Sequence, residues 1–311
     1  MDITFGPVPS RRLGRSLGIN NIPPKICSYA CIYCQVGKTL KMQIERKKFF
    51  EAEDILNSVS KRLREVRKRG ESIDFLTFVS DGEPTLDVEL GRSIEALKTF
   101  QIPIAVISNG TLIDRKEVQN DLYKADWVSF KVDAAEETVW RKINRPHRKL
   151  DLAKMMEGML VFREHLSGIL ATETMLIKGV NDSQEAIEDI TAFLVRLKPD
   201  FAYISIPTRP PADESVVAAD SVAVERARDM FADQLNRVEV LSGYESNTFT
   251  YTGDIRQDIL NITAVHPMHK EAVLKILQKA GADWDTVEEM LQNKELKKTE
   301  YNGHLFFLRS F

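Results

Sequence analysis

Cysteine is scarce in this chain of 311 residues: there are three, Cys27, Cys31 and Cys34, all inside one short stretch. A disulfide framework needs an even, dispersed set, so none is expected. Long apolar runs are also missing, and no stretch approaches the ~18 residues of a membrane helix. Met1–Ser10 holds two prolines and an acid but no long apolar segment, so no signal peptide is expected and the chain reads as cytoplasmic. Histidine is rare, and none precedes His147. Internal repeats and low-complexity segments are absent, which excludes solenoids and arrays. Hydrophobic content of 43% is ordinary for a globular protein, and the length fits one large α/β domain, alone or with a small module.

Charge of one sign is unevenly spread. The formal net charge is −3, yet residues 10–70 hold 15 Lys/Arg against 5 acids, a local +10 that leaves −13 elsewhere. A basic region on an acidic protein marks a polyanion site or a solvated helix face with a flexible loop.

Apolar runs rich in strand formers occur at Leu17–Ile22, Phe75–Val79, Pro103–Ile107, Trp127–Val132, Ile169–Ile177 and Phe201–Ile206. Several are continuously apolar, as suits parallel strands buried on both faces. Amphipathic stripes lie between them. One is Ile55, Leu56, Val59, Leu63 and Val66; another is Ile187, Ile190, Phe193, Leu194 and Leu197, with Asp182 or Ser183 as N-cap. Strand starts recur every ~25–45 residues, the spacing of a βα repeat. Six units make an incomplete (β/α)6 barrel, with ligands at the C-terminal strand ends. Polar and glycine-rich segments fall there: Ser80–Pro84, Ser108–Gly110, Lys131–Asp133, Lys178–Asp182 and Pro207–Arg209.

A boundary is expected in the Pro/Ala/Asp-rich stretch 207–220, giving a barrel over 1–211, a connector over 212–251 and a small domain over 252–311. The connector should hold a helix, Val222–Val238. The small domain reads as helices near Asp254–Ala264, Lys270–Lys279 and Trp284–Gln292, the last capped by Asp283. Leu296–Glu300 and Leu305–Arg309 then flank Asn302-Gly303, a type I′ hairpin signal. Three helices and a hairpin describe a winged-helix-like α+β domain. Its aromatic end (Tyr301, Phe306, Phe307, Phe311) reads as its own core, and the turn at His266-Pro267-Met268-His269 as a helix break.

The chemistry lies in Cys27-Ser28-Tyr29-Ala30-Cys31-Ile32-Tyr33-Cys34, a C-x3-C-x2-C spacing. Three thiolates can hold three corners of a cubane iron–sulfur cluster, which leaves one iron open to a small chelating molecule. Structural zinc is the competing reading; it needs a fourth ligand, and no local histidine supplies one.

This spacing, with Tyr33 before the last cysteine and Asp81-Gly82-Glu83-Pro84 after the second strand, resembles the signature of the radical S-adenosylmethionine (SAM) superfamily. The resemblance covers roughly residues 5–210. It implies that Cys27, Cys31 and Cys34 ligate one [4Fe–4S] cluster and that SAM is the second cofactor, cleaved to a 5′-deoxyadenosyl radical. It implies SAM contacts from Tyr33 against the adenine and from Gly82, through close backbone approach. Glu83 and Pro84 would meet the methionine amino group. Ser108 and Asn109 would face SAM, and Lys131 and Asp133 would reach the ribose or carboxylate unless they pair with each other. It also implies an external electron donor of flavodoxin or ferredoxin type, and no membrane.

Phe5–Arg12, Ser80–Leu86, Ile143–His147 and Lys178–Ser183 resemble prokaryotic radical SAM proteins placed beside the wyosine-type tRNA-modifying enzymes. The analogy points to a tRNA nucleoside as substrate; the alternative is a peptide, a protein or a partner enzyme to be activated. Those wyosine-forming enzymes resemble a two-cluster design with further N-terminal cysteines, which this chain lacks. The last domain holds 8 Lys/Arg and 9 acids over 253–311, so any RNA affinity is expected in the basic 10–70 segment, with Arg11, Arg12 and Arg15, and Lys38, Lys41, Arg46, Lys47 and Lys48 after the cysteine loop, at the barrel mouth.

Overall fold

The structure is a computed structural model that describes residues 3–241, 249, 251 and 253–310. In chain order the elements are β1 (Thr4–Ser10), β2 (Gly14–Ile19), β3 (Ile26–Cys27), β4 (Lys41–Met42), α1 (Ala52–Lys68), β5 (Phe75–Phe78), α2 (Leu90–Leu97), β6 (Ile104–Ser108), α3 (Lys116–Leu122) and β7 (Trp127–Lys131). There follow α4 (Glu137–Asn144), α5 (Leu152–His165), β8 (Ile169–Met175), α6 (Gln184–Leu197), β9 (Phe201–Ser205), α7 (Ser221–Ala232) and β10 (Val238–Leu241). The last are α8 (Ile255–Val265), β11 (Met268–His269), α9 (Lys270–Ala280), α10 (Asp285–Gln292), β12 (Leu296–Tyr301) and β13 (His304–Arg309).

One sheet runs β1-β2-β5-β6-β7-β8-β9-β10. Strands β2, β5, β6, β7, β8 and β9 are the six expected parallel strands, in chain order, and they make the curled half-barrel. Two strands were not expected. β1 adds antiparallel to β2 at one edge, and β10 adds parallel to β9 at the other. The expected helix Val222–Val238 ends at Ala232 instead, because the Val238–Leu241 run has strand formers and an open edge on β9 to pair with.

Side chains alternate across each strand, so the two faces differ. Val128, Phe130, Leu170 and Ile204 join the main core with helix residues such as Ile55, Val59, Leu63, Ile187 and Leu194. The opposite face carries a smaller cluster of Ala105, Trp127, Ala171, Tyr203 and Leu241, into which Leu13 of the β1–β2 turn packs. That turn therefore plugs the start of the strands. Lys131, Glu173 and Ser205 share this inner face nearer the strand ends.

Helix starts follow capping chemistry. Ser183 caps α6, its side chain accepting from the Ala186 amide, while Asp182 instead takes the Gly179 amide. Asp151, Asp220 and Asp254 cap α5, α7 and α8. The expected Asp283 cap is not made: Trp284 occupies the N-cap of α10 with no side-chain bond, and Asp283 gives only its carbonyl.

The last segment forms helices α8, α9 and α10 beside a β11-β13-β12 antiparallel sheet. Asn302 and Gly303 both have positive φ, +49° and +75°, as the turn they signal demands. Ile259, Ile262, Val273, Ile276, Val287, Met290 and Phe307 form its core. The expected aromatic core holds for Phe307; Phe306 is buried but outside that cluster, Tyr301 is half-buried, and Phe311 lies outside the described residues. The His266–His269 segment ends α8 and opens β11. Val8 of β1 packs against this core, Arg62 of α1 stands 3.9 Å from Asp258 of α8, and the Tyr301 hydroxyl donates to the Pro207 carbonyl at 3.2 Å.

Candidate active site

The three cysteines sit in the loop between β2 and α1, laid across the finishing ends of the parallel strands. Backbone contacts fix that loop from several sides. β3 bridges to Gly82 after β5, and Tyr29 bridges to Pro146 after α4. The Ala30 amide donates to the carbonyls of Asn144 and Arg145, at 3.1 and 3.2 Å, and the Ile32 amide donates to Ile143 at 3.0 Å. The Lys25 carbonyl accepts from Leu40 and Lys41, which closes the loop at its base.

The thiols are close enough for their charges to act on one another. Burial pushes all three upward, Cys31 to about 12, and neighbouring charge adds to this: Glu83 and Cys31 for Cys27, Asp133 and Cys34 for Cys31. As bare thiols they hold their protons, so a bound cation is what would make thiolates of them. Among the described residues no three His, Cys, Asp or Glu are gathered so as to hold a metal ion directly. Three thiols held in one loop at C-x3-C-x2-C spacing can supply three corners of a cubane cluster and leave its fourth iron without a protein ligand. The donor set therefore fits a cubane with one open iron.

Glu83 is 1% exposed. Its carboxylate accepts from the Thr85 amide at 3.0 Å, the Thr85 hydroxyl at 2.6 Å, the Ser108 hydroxyl at 2.7 Å and the Asn109 amide at 2.8 Å. It thus ties the turn after β5 to the end of β6, and it also caps the short helical turn that Pro84 opens. Asn109 in turn points its amide at Ser28 Oγ, 2.9 Å, and Cys27 Sγ, 3.6 Å.

Gly82 is also required by the chain's own packing. A Cβ there would fall inside the Ile26 carbonyl oxygen, so the glycine admits the backbone of the cysteine loop itself.

Lys131 and Asp133 do not pair with each other. Lys131 Nζ donates to Glu173 Oε1 at 2.6 Å and lies 5.4 Å from the centroid of the Tyr33 ring. Asp133 is 2% exposed and accepts from the Tyr33 hydroxyl, from Asn144 Nδ2 at 2.8 Å and from the Met175 amide at 2.9 Å. Tyr33 is therefore anchored at its hydroxyl and covered on its ring by a cation.

Glu173 carries no motif of its own, while Arg12 and Asn181 stand in the Phe5–Arg12 and Lys178–Ser183 segments without a role assigned to either. Glu173 accepts from Arg12, Lys131 and Ser205; burial pushes its carboxyl up, and the two cations hold it well below the usual range. Arg12 reaches that carboxylate from the β1–β2 turn, at the starting end of the strands, so the expected place at the barrel mouth is wrong for Arg12. Arg15 pairs with Glu71 at the same end. Asn181 bonds the Asp133 and Met175 carbonyls, both at 2.8 Å. A cavity of about 610 Å³ opens beside Cys31, lined by Ala30, Lys38, Thr39, Arg145, Asp213 and Glu214 among others.

Residues 21–191 match the family model described as the Radical SAM superfamily. The UPF0026 protein MJ1312 of Methanocaldococcus jannaschii is 44% identical over 312 residues, spanning all of this chain and 97% of that one. A protein named GTPase Obg, from Brachyspira hyodysenteriae, is 32% identical over 93% of this chain, which spans 42% of its length. Among solved structures, a radical SAM methyltransferase from Sphaerobacter thermophilus shares the fold, with TM-score 0.54 at 16% identity over 73% of this chain and 66% of that one. With the cysteine loop seated on the strand ends of a half-barrel, these matches place the chain in the radical SAM superfamily and, within it, among the UPF0026 proteins.

Proposed function

We propose that Cys27, Cys31 and Cys34 hold a single [4Fe–4S] cluster and that this chain applies radical chemistry to a nucleoside in RNA. Enzymes of the superfamily use such a cluster together with SAM. When bound, the reduced cluster supplies the electron that breaks the sulfonium C–S bond of SAM and yields the 5′-deoxyadenosyl radical, which then abstracts a substrate hydrogen. An external donor of flavodoxin or ferredoxin type would deliver that electron.

The chain's own residues do the positioning. Glu83 and Pro84 hold the turn after β5 rigid against Ser108 and Asn109, so the edge facing the methionine amino group is fixed before SAM arrives. Tyr33, held by Asp133, presents a set ring for the adenine. Lys131, already balanced on Glu173, is the cation within reach of the ribose or carboxylate. Buried walls at 0–5% exposure, such as Ile22, Phe130 and Val132, keep water from the centre.

The observation that carries RNA as the substrate class is a basic rim around the cysteine loop. Lys38, Lys41, Lys47 and Lys48 lie on the strap that follows it, and Arg145, Arg148 and Lys149 on the segment laid against it; all are exposed, with Lys48 paired to Glu51 and Arg145 to Asp213. A base flipped from its stack would enter there. The small domain, a winged-helix-like module by its element order, would then act as a recognition element or a brace. A peptide substrate is the second reading, favoured by the mixed charge of the cavity beside Cys31, where Asp213 pairs with Arg145 at 2.7 Å and Glu214 and Lys38 also line the wall.

The test is anaerobic reconstitution. The parent should hold about four irons and convert SAM to 5′-deoxyadenosine when reduced, and Cys→Ala at 27, 31 or 34 should abolish both. Retained cleavage in all three variants would sink the assignment.

A further inference from the structure

Asn144 is the last residue of α4 and is 2% exposed. It sits where three parts of the site meet. Its carbonyl accepts from the Ala30 amide at 3.1 Å. Its side-chain amide donates to Cys31 Sγ at 3.4 Å and to Asp133 Oδ2 at 2.8 Å. Asp133 in turn takes the Tyr33 hydroxyl and the Met175 amide. The Asn144 amide therefore has both its protons in use, one on sulfur and one on a buried carboxylate.

This geometry sets opposing fields against Cys31. The Asp133 carboxylate disfavours added negative charge at the sulfur, and the Asn144 N–H favours it. Between them, the carboxylate acts through space, while the Asn144 N–H and the Tyr33 hydroxyl are the groups in hydrogen-bond contact with the sulfur.

We propose that Asn144 is a positioning residue for the iron–sulfur cluster: its amide donates to the Cys31 sulfur, so the cluster is easier to reduce, and it braces the Asp133–Tyr33 pair beneath. This rests on the proposal that Cys31 is a cluster ligand. A reduced cluster carries one more negative charge than the oxidised form, and hydrogen bonds to ligand sulfur stabilise it preferentially. Groups outside the ligand set commonly orient ligands and tune the metal. Asn109 donates to Cys27 Sγ at the longer distance of 3.6 Å while also holding Ser28, so its share is smaller.

The experiment is a redox titration of reconstituted protein followed by the spin signal of the reduced cluster, with iron content counted alongside. Four proteins are compared: the parent, Asn144→Ala, Asn144→Asp and the exchange Asn144→Asp/Asp133→Asn. Asn144→Asp keeps the shape but removes both N–H donors. The exchange restores a donor–acceptor pair between positions 144 and 133, yet leaves the Cys31 sulfur without the Asn144 donor.

The expected result is that Asn144→Ala and Asn144→Asp shift the midpoint at least ten-fold against reduction, about 59 mV for one electron. The exchange should recover iron content and thermal stability while its midpoint stays low. A parent-like midpoint in Asn144→Ala, which removes the donor without adding a charge, would overturn the proposal. So would an exchange variant that recovers the midpoint together with the iron, since the residue would then be only a brace. If the parent itself takes up no cluster, the reading of the three cysteines fails instead.

Discussion

Lys25 Nζ stands 2.9 Å from Asp81 Oδ1, and the two side chains, 6% and 1% exposed, clasp the base of the cysteine loop to the turn after β5. The same residues meet through the backbone, the Lys25 amide donating to the Asp81 carbonyl at 2.6 Å with Lys25 at φ +62°.

Removing the cation should be costly and pH-dependent. Burial pushes the Asp81 carboxyl up to about 6, with Lys25 pulling it back down. Its folded value lies above its unfolded one, so the stability it lends is present below the unfolded value near ~4 and is lost as pH rises through the folded one. In Lys25→Met the folded value climbs further. The variant should lose about 3–5 kcal/mol at pH 8, the range for stranding one member of a buried pair. The loss should be distinctly smaller at pH 5, where the carboxyl keeps its proton. Denaturant melts at both pH values check this; an equal loss at both would show that the pair is not what is being felt.

Gly82→Ala should damage the cysteine loop as a whole. The new Cβ points into the Ile26 carbonyl, one residue before Cys27. Iron uptake and SAM binding should therefore fall together. A variant with full iron and weakened SAM binding alone would show that the glycine serves the ligand rather than the loop.

Arg12→Met should destabilise the barrel by about 1.5–3 kcal/mol, the range for a hydrogen bond to a charged group. It leaves Glu173 with Lys131 and Ser205. Lys131 is then drawn harder to Glu173, so SAM affinity should also drop. Unchanged melts would place the Arg12–Glu173 contact among surface pairs of no consequence.

The half-barrel was legible because its strands are continuous apolar runs such as Ile104-Ala105-Val106-Ile107, and burial on both faces demands that composition. β1 escaped notice because Gly6, Pro7 and Pro9 argue against a strand, yet an edge tolerates them. β10 follows α7 with no glycine or proline to separate the two, so periodicity alone extended the helix. The cysteines, Glu83 and Asp133 stood out by motif. Asn144 and Glu173 did not, since their partners lie far away in sequence: Asn144 meets a sulfur 113 positions earlier, and Glu173 an arginine 161 positions earlier. Neither has a local pattern. The Ile143–His147 resemblance marked the first only as a segment.

The RNA reading yields the sharpest contrast between surfaces of similar charge. Much of the basic excess over residues 10–70 is spent inside the fold: Arg12 on Glu173, Arg15 on Glu71, Lys25 on Asp81 and Arg46 on Asp121. What remains exposed divides into Arg11 on the β1–β2 turn, the strap beside the cysteines, and the outer face of α1 with Arg64 and Lys68. Each phosphate neutralised releases counterions, so binding falls with salt in proportion to the contacts made, by ~0.7–0.9 in log–log slope for each. Replacing Lys38, Lys41 and Lys47 by Ala should weaken tRNA binding and lower that slope by about 2. Replacing Arg145, Arg148 and Lys149 should act in the same direction, whereas replacing Lys61, Arg64 and Lys68 should leave binding unchanged. The measurement is tRNA affinity across a salt series for the parent and the three variants. If only the α1 variant loses affinity, the entry is elsewhere. If the parent binds no RNA even at low salt, the nucleoside reading falls and a peptide seated in the cavity beside Cys31, against Lys38, Glu214 and the paired Arg145 and Asp213, takes its place.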